Sequence, residues 1–308
     1  MAIIVHHLND SRSQRVLWLL EEMGIDYEIK HYSRTAQGTA PKELLDVHPT
    51  GKSPLITDTT KNKVVAESGA IVDYLIRHYG EGRFVPADPE RIDDDVYFNH
   101  FAEGSLMPTL VMKLVFSMIP AKMPFFVRPI GNAIVSNVNS AFLDPDLKRK
   151  SDFVADELVK KCDGGNGWFA GGDKDGNPTS ADFQMAFPLE AALSGRISNL
   201  PASIKTYVDK VHARPAFKRG LEKGGPYNFI PMRDQPGGLE FLHVLPASEV
   251  RNQSVCAPVN ALPPRIHDAN ALDWCQRQIP QMPMGANVSR ASLRTSADTA
   301  GAMRSLRC

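Results

Sequence analysis

Cysteine is scarce in this sequence, which has four in 308 residues. Cys162 lies in the body of the chain, and the others, Cys256, Cys275 and Cys308, lie toward its C-terminal end. Such a set is no disulfide framework, and neither a Cys-x-x-Cys pair nor a His/Cys cluster has the spacing of metal ligands. The sequence therefore predicts a reducing, cytoplasmic setting and no metal site.

An excess of charge of one sign is also absent, since 35 Lys and Arg residues balance 35 Asp and Glu residues. A neutral chain gives no electrostatic reason to expect nucleic acid or an anionic membrane as a partner. The longest apolar run, residues 106–119, is interrupted by Pro108 and Lys113 and is too short to span a bilayer. Residues 1–7 read as a strand and lack the basic start of a signal peptide. We therefore expect no nucleic-acid partner and no integral membrane segment.

The C-terminal part of the chain has no lysine. Residues 231–308 contain eight prolines, and their short apolar patches at 239–245 and 255–262 offer little to bury. Such a composition does not repay the entropy of ordering. We predict a mostly disordered tail at residues 229–308, which is either an extension or a mispredicted gene end.

The beginning of the chain is rich in strand patterns. The predicted elements are strand 2–8, helix 13–23 closed by Gly24, strand 27–32, short helix 41–47, strands 55–57 and 63–66, and helix 67–79. A β-α-β unit followed by β-β-α is the order of a thioredoxin-like domain. We place this domain at residues 1–82.

A linker with Pro86 and Pro89 separates this domain from long helical patterns. The predicted helices are 91–119, 128–141, 147–163, 180–194, 203–213 and 215–223. The length of the chain leaves room for two domains with cores of their own. The predicted fold class is α/β plus all-α, with an all-helical C-terminal domain at residues 90–228.

The Ser53-Pro54 pair stands at the start of a predicted strand. Because proline cannot donate to a strand ladder, it is rare and usually purposeful in this position. If the peptide bond is cis, the Ser53 backbone faces outward and can pair with an extended peptide as a further strand would.

Glu67 and Ser68 follow shortly afterwards, where a strand runs into a helix. The first turn of a helix offers free N–H groups that attract a carboxylate, and the Ser68 hydroxyl can add a hydrogen bond. The Glu67 carboxylate can take an ammonium group. A peptide with an α-amino acid head, such as glutathione, supplies both the carboxylate and the ammonium group. Ser/Glu pairs also serve as ordinary helix caps, which is the alternative interpretation.

The sequence resembles a known family in these segments and in others. Residues 11–15 read Ser-Arg-Ser-Gln-Arg, and the match continues through Ser53-Pro54 and Glu67-Ser68. It extends through residues 97–106 and 179–184 and fades near Tyr227. The resemblance is to the cytosolic glutathione S-transferase superfamily, in the fungal and bacterial branch with this N-terminal motif.

The resemblance implies a thioredoxin-like glutathione-binding domain followed by an all-helical glutathione transferase C-terminal domain. It implies an enzyme that activates the thiol of glutathione for attack on a small apolar electrophile, as in detoxification. Glutathione would be a co-substrate, without a metal or redox cofactor. The protein would be a cytoplasmic homodimer.

Thiol activation needs a hydrogen-bond donor near the sulfur. The free thiol has a pKa of about 8.5, so that only a few per cent is ionised at pH 7. In the serine classes of the family, the catalytic hydroxyl lies a few residues before the helix arginine, which makes Ser11 the first candidate and Ser13 the second. An ungapped comparison falls on Asp10, a carboxylate that would repel the thiolate, and the Asn9 amide is a further alternative. Either serine is also an ordinary helix cap.

The remaining candidates follow from the resemblance too. Ser53 would bind glutathione through its backbone beside a cis Pro54, and Lys52 would reach the glycyl carboxylate unless it is a solvated loop lysine. The electrophile would lie in an apolar pocket between the domains. Candidates for its lining, which are equally good core residues, are Tyr97, Phe101, Ser105 and Met107.

Rival functions remain open at this point. A thiol oxidoreductase of this fold needs a cysteine in the first loop, and none precedes Cys162. A glutathione-dependent peroxidase activity needs no protein thiol. A non-catalytic glutathione-binding regulatory protein would keep Pro54, Glu67 and Ser68 but would not ionise the bound thiol.

Overall fold

The structure is a computed structural model that describes residues 2–229. The predicted tail at 229–308 lies outside this part of the chain except for its first residue. The statement about the tail therefore stays a prediction.

A four-stranded mixed sheet forms the N-terminal part, in the order β2-β1-β3-β4. The strands are β1 (Ile3–Leu8), β2 (Tyr27–Tyr32), β3 (Leu55–Asp58) and β4 (Lys63–Ala66). β1 runs parallel to β2 and antiparallel to β3, and β3 pairs antiparallel with β4. Because β1 is an inner strand, it is buried almost throughout, as apolar residues in inner strands are.

Helices flank the sheet and make up the rest of the described chain. They are α1 (Gln14–Met23), α2 (Ser68–Tyr79), α3 (Ile92–Phe101), α4 (Met107–Met118), α5 (Arg128–Val138), α6 (Asp144–Lys161), α7 (Ser180–Ala191), α8 (Ala202–Ala213) and α9 (Pro215–Gly224). The predicted fold class, a thioredoxin-like N-terminal part followed by a helical C-terminal part, is confirmed.

The observed helices differ from the predicted ones in two places. The short helix expected at 41–47 is a single 3₁₀ turn, Lys42–Leu45. The break expected between 141 and 147 is absent, because a π-helical turn, Asn139–Leu143, joins α5 to α6. This wide turn ends two residues before Pro145, which has no N–H to donate to a regular helical turn.

Helix α1 is buried on nearly every side and packs closely against α9. A Cβ atom at Gly224 would lie 2.8 Å from Leu17 Cδ1, and one at Gly220 would lie 3.3 Å from the Trp18 nitrogen. These two glycines therefore allow the close approach. The Trp18 ring also packs against Phe183 of α7, with 4.5 Å between the ring centroids.

The helical run from Pro89 to Lys122 is 34 residues long and is apolar enough, by length and composition, to cross a membrane. About 22% of its most apolar window is buried. Core helices of globular proteins pass the same test, so one such helix is weak evidence of a membrane span. Beyond it, Phe125 and Phe126 are 78% and 70% exposed, which makes the α4–α5 connection an apolar surface.

Helix α7 begins with a capping box, as the Thr179-x-x-Asp182 pattern predicts. The buried Asp182 carboxylate accepts hydrogen bonds from the Thr179 nitrogen at 2.9 Å and the Phe169 nitrogen at 3.0 Å. It also accepts one from the Tyr207 hydroxyl at 2.8 Å. Asp182 thus ties the start of α7 to α8 and to the loop before α7.

We expect the substitution Asp182→Ala to lower the free energy of unfolding by about 3–5 kcal/mol, because it leaves several buried donors unpaired. Urea denaturation of both proteins measures this difference. The exposed Asp209 on α8 offers a matched control, for which Asp209→Ala should change stability by about 0.5 kcal/mol or less. Equal effects of the two substitutions would show that the Asp182 contacts are not stabilising.

Candidate active site

A cleft of about 790 Å³ opens between the N-terminal part and the helices that follow it. The N-terminal part lines it with Arg12, Thr50, Lys52, Ser53, Pro54, Leu55, Ala66, Glu67, Ser68, Gly69, Ala70 and Asp73. The helical part lines it with Asp95, Val96, Asn99, His100, Glu103, Gly104, Ser180 and Gln184. The cleft thus brings together the predicted binding residues 52, 53, 54, 67 and 68. Ser11 and Ser13 are not part of its lining.

The Ser53–Pro54 peptide bond at the edge of this cleft is cis. The Ser53 hydroxyl donates to the His6 carbonyl at 2.9 Å and accepts from the Leu8 nitrogen at 3.3 Å, which fastens the loop to β1. Within residues 2–229, no hydrogen bond uses the main-chain N–H or C=O of Ser53. Both groups are therefore available to an extended peptide.

Glu67 has φ 69° and ψ 125°, a conformation that non-glycine residues seldom adopt. Its side chain is exposed and makes no hydrogen bond or ion pair with another described residue. Such backbone strain costs about 1–3 kcal/mol and concentrates at ligand-binding sites. Within residues 2–229, Glu67 is therefore an unpaired carboxylate at the first turn of α2.

Ser68, the first residue of α2, is buried beside a guanidinium group. Its hydroxyl accepts a hydrogen bond from Arg15 Nη1 at 3.2 Å and donates one to Gln184 Oε1 at 3.3 Å. The same Arg15 nitrogen also donates to Gln184 Oε1 and, at 2.9 Å, to Glu103 Oε1. Ser68 is thus held by residues from α1 and α7.

Arg12 and Arg15 share the carboxylate of Glu103. Arg12 Nε donates to its two oxygens at 3.0 and 2.8 Å. Both guanidinium groups also lie over the Phe187 ring, at 5.8 and 5.3 Å from its centroid. Burial lowers the pKa of Arg15, and the charge of Glu103 opposes that shift. Glu103 lies in a π-helical turn, Ala102–Leu106, a distortion that is frequent at functional sites.

Sequence reasoning missed the roles of Arg12, Arg15, Glu103 and Gln184. One signal was available, because Arg15 stands among the apolar residues of an amphipathic helix, where a charge must find a partner. The partner itself could not be predicted from the sequence, because Gln184 is 169 positions away along the chain.

The Ser11 and Ser13 hydroxyls form a buried chain with His7. Ser11 Oγ donates to the Leu8 carbonyl at 2.7 Å, and it lies 2.9 Å from Ser13 Oγ. Ser13 Oγ lies 2.8 Å from His7 Nδ1. Ser13 occupies the N-cap position of α1, but its side chain makes no capping hydrogen bond. These contacts fix the β1–α1 loop.

Asp10 and Asn9, in the same loop, are also engaged. The Asp10 carboxylate accepts from the Asn228 main-chain nitrogen and from its side-chain amide, each at 2.8 Å. The Asn9 side-chain oxygen accepts from the Arg34 nitrogen at 3.0 Å, and the Asn9 side-chain nitrogen donates to Asp10 Oδ2 at 3.3 Å. Asp10 therefore links the β1–α1 loop by hydrogen bonds to the segment that follows α9.

A second cavity, of about 430 Å³, opens beside Asp10. It is lined by Asp10, Lys113, Leu114, Ser117, Ser194, Gly195, Arg196, Asn228 and Phe229. The residues considered for an apolar pocket line neither cavity: Phe101 and Met107 are buried in the core, and Tyr97 stacks on Phe101. His100 also lines the 790 Å³ cleft.

Among residues 2–229, no three His, Cys, Asp or Glu side chains form a group that could hold a metal ion. Burial raises the pKa of the Cys162 thiol to about 12, so this thiol stays protonated at neutral pH.

Comparison with known proteins places the chain in a family. Residues 2–77 match the family described as "Glutathione S-transferase, N-terminal domain". The chain is 34% identical over 230 residues to glutathione S-transferase 1 of Saccharomyces cerevisiae, which covers 72% of this chain and 94% of the yeast protein. The chain belongs to the glutathione S-transferase family. This family member is also 35% identical over 224 residues to glutathione S-transferase 3 of Schizosaccharomyces pombe, covering 72% of the chain and 87% of that protein.

Solved structures of glutathione S-transferases have the same fold. One from Actinobacillus pleuropneumoniae has a TM-score of 0.56 and 28% identity, and it covers 74% of this chain and 98% of its own. A glutathione transferase homolog from Lodderomyces elongisporus, solved with two GSH per subunit, has a TM-score of 0.58 and 20% identity, covering 72% and 98%. The superfamily predicted from the sequence is therefore confirmed.

The buried His7 of this glutathione S-transferase family member should make stability depend on pH. Burial, assisted by the charge of His31, lowers the pKa of His7 to about 4, whereas the unfolded chain protonates near its usual 6.5. The contribution of His7 is therefore complete above about pH 6.5 and is lost as the pH falls toward 4, at about 1.4 kcal/mol per pH unit.

Urea denaturation at pH 7 and at pH 5 measures this effect. The substitution His7→Asn should reduce the loss of stability between the two values, and His78→Asn, at an exposed position, should leave it unchanged. An unchanged loss in the His7→Asn protein would contradict the assignment.

Proposed function

We propose that this protein is a glutathione transferase that binds glutathione in the 790 Å³ cleft. The observation that carries the proposal is the pairing, on one cleft, of the free Ser53 main chain with the start of α2 at Glu67 and Ser68. The volume suits a tripeptide, since small-molecule sites usually measure about 300–1,000 Å³. The names of the fungal relatives support the same activity.

The cysteinyl part of glutathione would pair with the Ser53 main chain beside Pro54. The γ-glutamyl carboxylate would accept hydrogen bonds from the first turn of α2 and from the Ser68 hydroxyl, and its ammonium group would pair with Glu67. Lys52 is exposed on the cleft rim, where it would meet the glycyl carboxylate. Glutathione is then a co-substrate, and the reaction needs no metal or redox cofactor.

The contact with Arg15 orients the Ser68 hydroxyl to donate a hydrogen bond to the γ-glutamyl carboxylate. A hydroxyl that accepts the Arg15 N–H at 3.2 Å keeps its own proton for another acceptor. In the described structure that acceptor is Gln184 at the long distance of 3.3 Å. A ligand carboxylate would be the stronger acceptor, because hydrogen bonds to an ionised group are roughly twice as strong.

The thiol would be activated at the β1–α1 loop, with Ser11 as the first donor and Ser13 as the second. The Ser11 proton now serves the Leu8 carbonyl at 2.7 Å, so activation exchanges a neutral hydrogen bond for one to a thiolate. Arg12 is a further candidate from the structure. It lines the cleft, its Nε is occupied by Glu103, and its two terminal nitrogens make no hydrogen bond within the described chain.

The thiolate would attack an electrophile held in the 430 Å³ cavity beyond Asp10. A carbon–sulfur bond forms, the leaving group departs with the bonding electrons, and the thiol proton passes to solvent. Small apolar electrophiles suit the Leu114 and Phe229 surfaces of this cavity, and their removal would be a detoxification reaction.

The wider setting of this activity is part of the same proposal. We place the chain in the fungal and bacterial branch with the Ser-Arg-Ser-Gln-Arg motif and, from its cysteine usage, in the cytoplasm. A homodimer is supported by the exposed apolar residues Ile92, Val96 and Tyr97 of α3, of which Val96 lines the cleft.

The binding role of Glu67 is tested by the substitution Glu67→Ala. The ammonium of bound glutathione would lose its partner, so affinity should fall by about 1.5–3 kcal/mol, the worth of a charged hydrogen bond. Isothermal titration calorimetry measures this, and Glu43→Ala, at an exposed position outside the cleft, provides the control. Glutathione binding as tight as that of the unsubstituted protein would refute the anchor.

The activating donor is tested by titrating the thiolate absorbance of bound glutathione. Ser11→Ala should raise the thiol pKa by one to two units, which corresponds to about 1.4–2.7 kcal/mol, and should lower turnover near pH 7 with little change in affinity. Ser140→Ala, on an exposed turn, is the control. If only Ser13→Ala or Arg12→Gln raises the pKa, that residue is the donor instead.

The same titration separates the rival functions. A non-catalytic binding protein would take up glutathione without lowering its thiol pKa. A peroxidase activity would appear as oxidation of glutathione by an organic hydroperoxide. A cysteine-dependent oxidoreductase is disfavoured for the described chain, because the Cys162 thiol is buried and protonated.

A further inference from the structure

The 430 Å³ cavity contains an unusual combination of groups for a site that accepts an apolar molecule. Leu114 and Phe229 provide apolar surface, and three charged side chains share the lining: Asp10, Lys113 and Arg196. What the cavity can bind depends on whether each charged group already has a partner in the protein. A charge that is already paired contributes little to the affinity for a ligand.

Two of these three charges are already satisfied. The Asp10 carboxylate accepts both hydrogen bonds offered by Asn228. The Lys113 ammonium pairs with Asp144 Oδ1 at 2.5 Å. Each group therefore already has a partner within the protein.

Arg196 differs from both. In the chain from residue 2 to 229 it makes no ion pair, and its Nη1 is buried without a hydrogen-bond partner. Its guanidinium carbon lies 5.4 Å from the centroid of the Phe229 ring, an arrangement that holds the group at the cavity wall. Burial lowers the pKa of Arg196, but an arginine remains protonated at neutral pH.

The backbone before Arg196 holds this group in place. Gly195 has φ 97°, which a residue with a side chain rarely adopts, and it lies inside the π-helical turn Ala192–Arg196 that follows α7. The Ser194 hydroxyl fastens the same turn by donating to the Ala191 carbonyl at 2.8 Å. Arg196 is thus a cation without an anionic partner among residues 2–229, and buried polar groups are nearly always paired in folded proteins.

We propose that the electrophile bound in this cavity carries a carboxylate, which Arg196 holds while the apolar body of the molecule packs on Leu114 and Phe229. The inference rests on the proposed transferase function and narrows its second substrate from apolar molecules in general to apolar carboxylates. Arg196 is then a specificity-determining residue and takes no part in activating the thiol.

A pair of substrates that differ only in charge tests this assignment. Glutathione displaces chloride from 4-chloro-3-nitrobenzoate and from the neutral 4-chloro-3-nitrobenzamide. In each reaction a carbon–sulfur bond forms, the carbon–chlorine bond breaks, chloride leaves with the electron pair, and the thiol proton goes to the buffer. The KM of each substrate is measured at saturating glutathione with the full-length protein and its variants.

The Arg196→Gln variant should have a KM for the benzoate at least tenfold higher, with the KM for the benzamide changed less than twofold. Arg196→Lys should keep part of the preference for the benzoate, because the charge remains. Lys160→Gln, which removes one charge from an exposed position on α6, should leave both values unchanged. Thermal melting checks that each variant is folded, and Arg196→Lys replaces Arg196→Gln in the comparison if the latter is not.

Equal changes for the benzoate and the benzamide, or no change for either, would overturn the assignment of Arg196 while leaving the transferase function intact. A full-length protein that conjugates neither substrate but lowers the pKa of bound glutathione would also overturn it. Failure of the proposed function itself is recognised separately, as an unchanged thiol pKa in the glutathione complex.

Discussion

The buried guanidinium of Arg15 is the interaction on which the geometry of the cleft depends. A charge removed from water is stable only if opposite charge and hydrogen bonds replace the lost hydration. Arg15 finds them in Glu103 after α3, in Ser68 at the start of α2 and in Gln184 of α7. One side chain of α1 therefore fixes the position of the helix start that faces the ligand relative to the helical part of the protein.

Arg12 and Arg15, the two arginines of the N-terminal motif, differ in location and in hydrogen-bond partners. Arg15 donates hydrogen bonds to buried acceptors, whereas Arg12 lines the cleft and its terminal nitrogens make no hydrogen bond with residues 2–229. Glu103 balances only one of these two positive charges. The Asp10 carboxylate lies in the same β1–α1 loop, so the charges of both signs in and beside this loop balance.

The parts of this structure that follow from local sequence were predictable, and the parts that depend on distant contacts were not. Some features are recognisable from a few neighbouring residues: strand alternation, the closing Gly24, and the Ser53-Pro54 and Glu67-Ser68 pairs. These local patterns predicted the sheet and one wall of the cleft. The union of α5 and α6 was not predictable, because Pro145 normally marks a helix start. The contacts of Ser11, Ser13 and Arg196 were not predictable either, because hydrogen-bond partners across the fold leave no periodic pattern.

The two hydrogen bonds between Asp10 and Asn228 join residues near the two ends of the described chain. During synthesis the whole sheet has emerged once residue 66 has left the ribosome, and proteins fold from the N-terminus as they emerge. The contact that joins the β1–α1 loop to the segment after α9 nevertheless requires a residue 218 positions after Asp10. The sheet can therefore form during synthesis before this contact does, and the pairing of Asp10 with Asn228 is one of the last in the described chain that the order of translation allows.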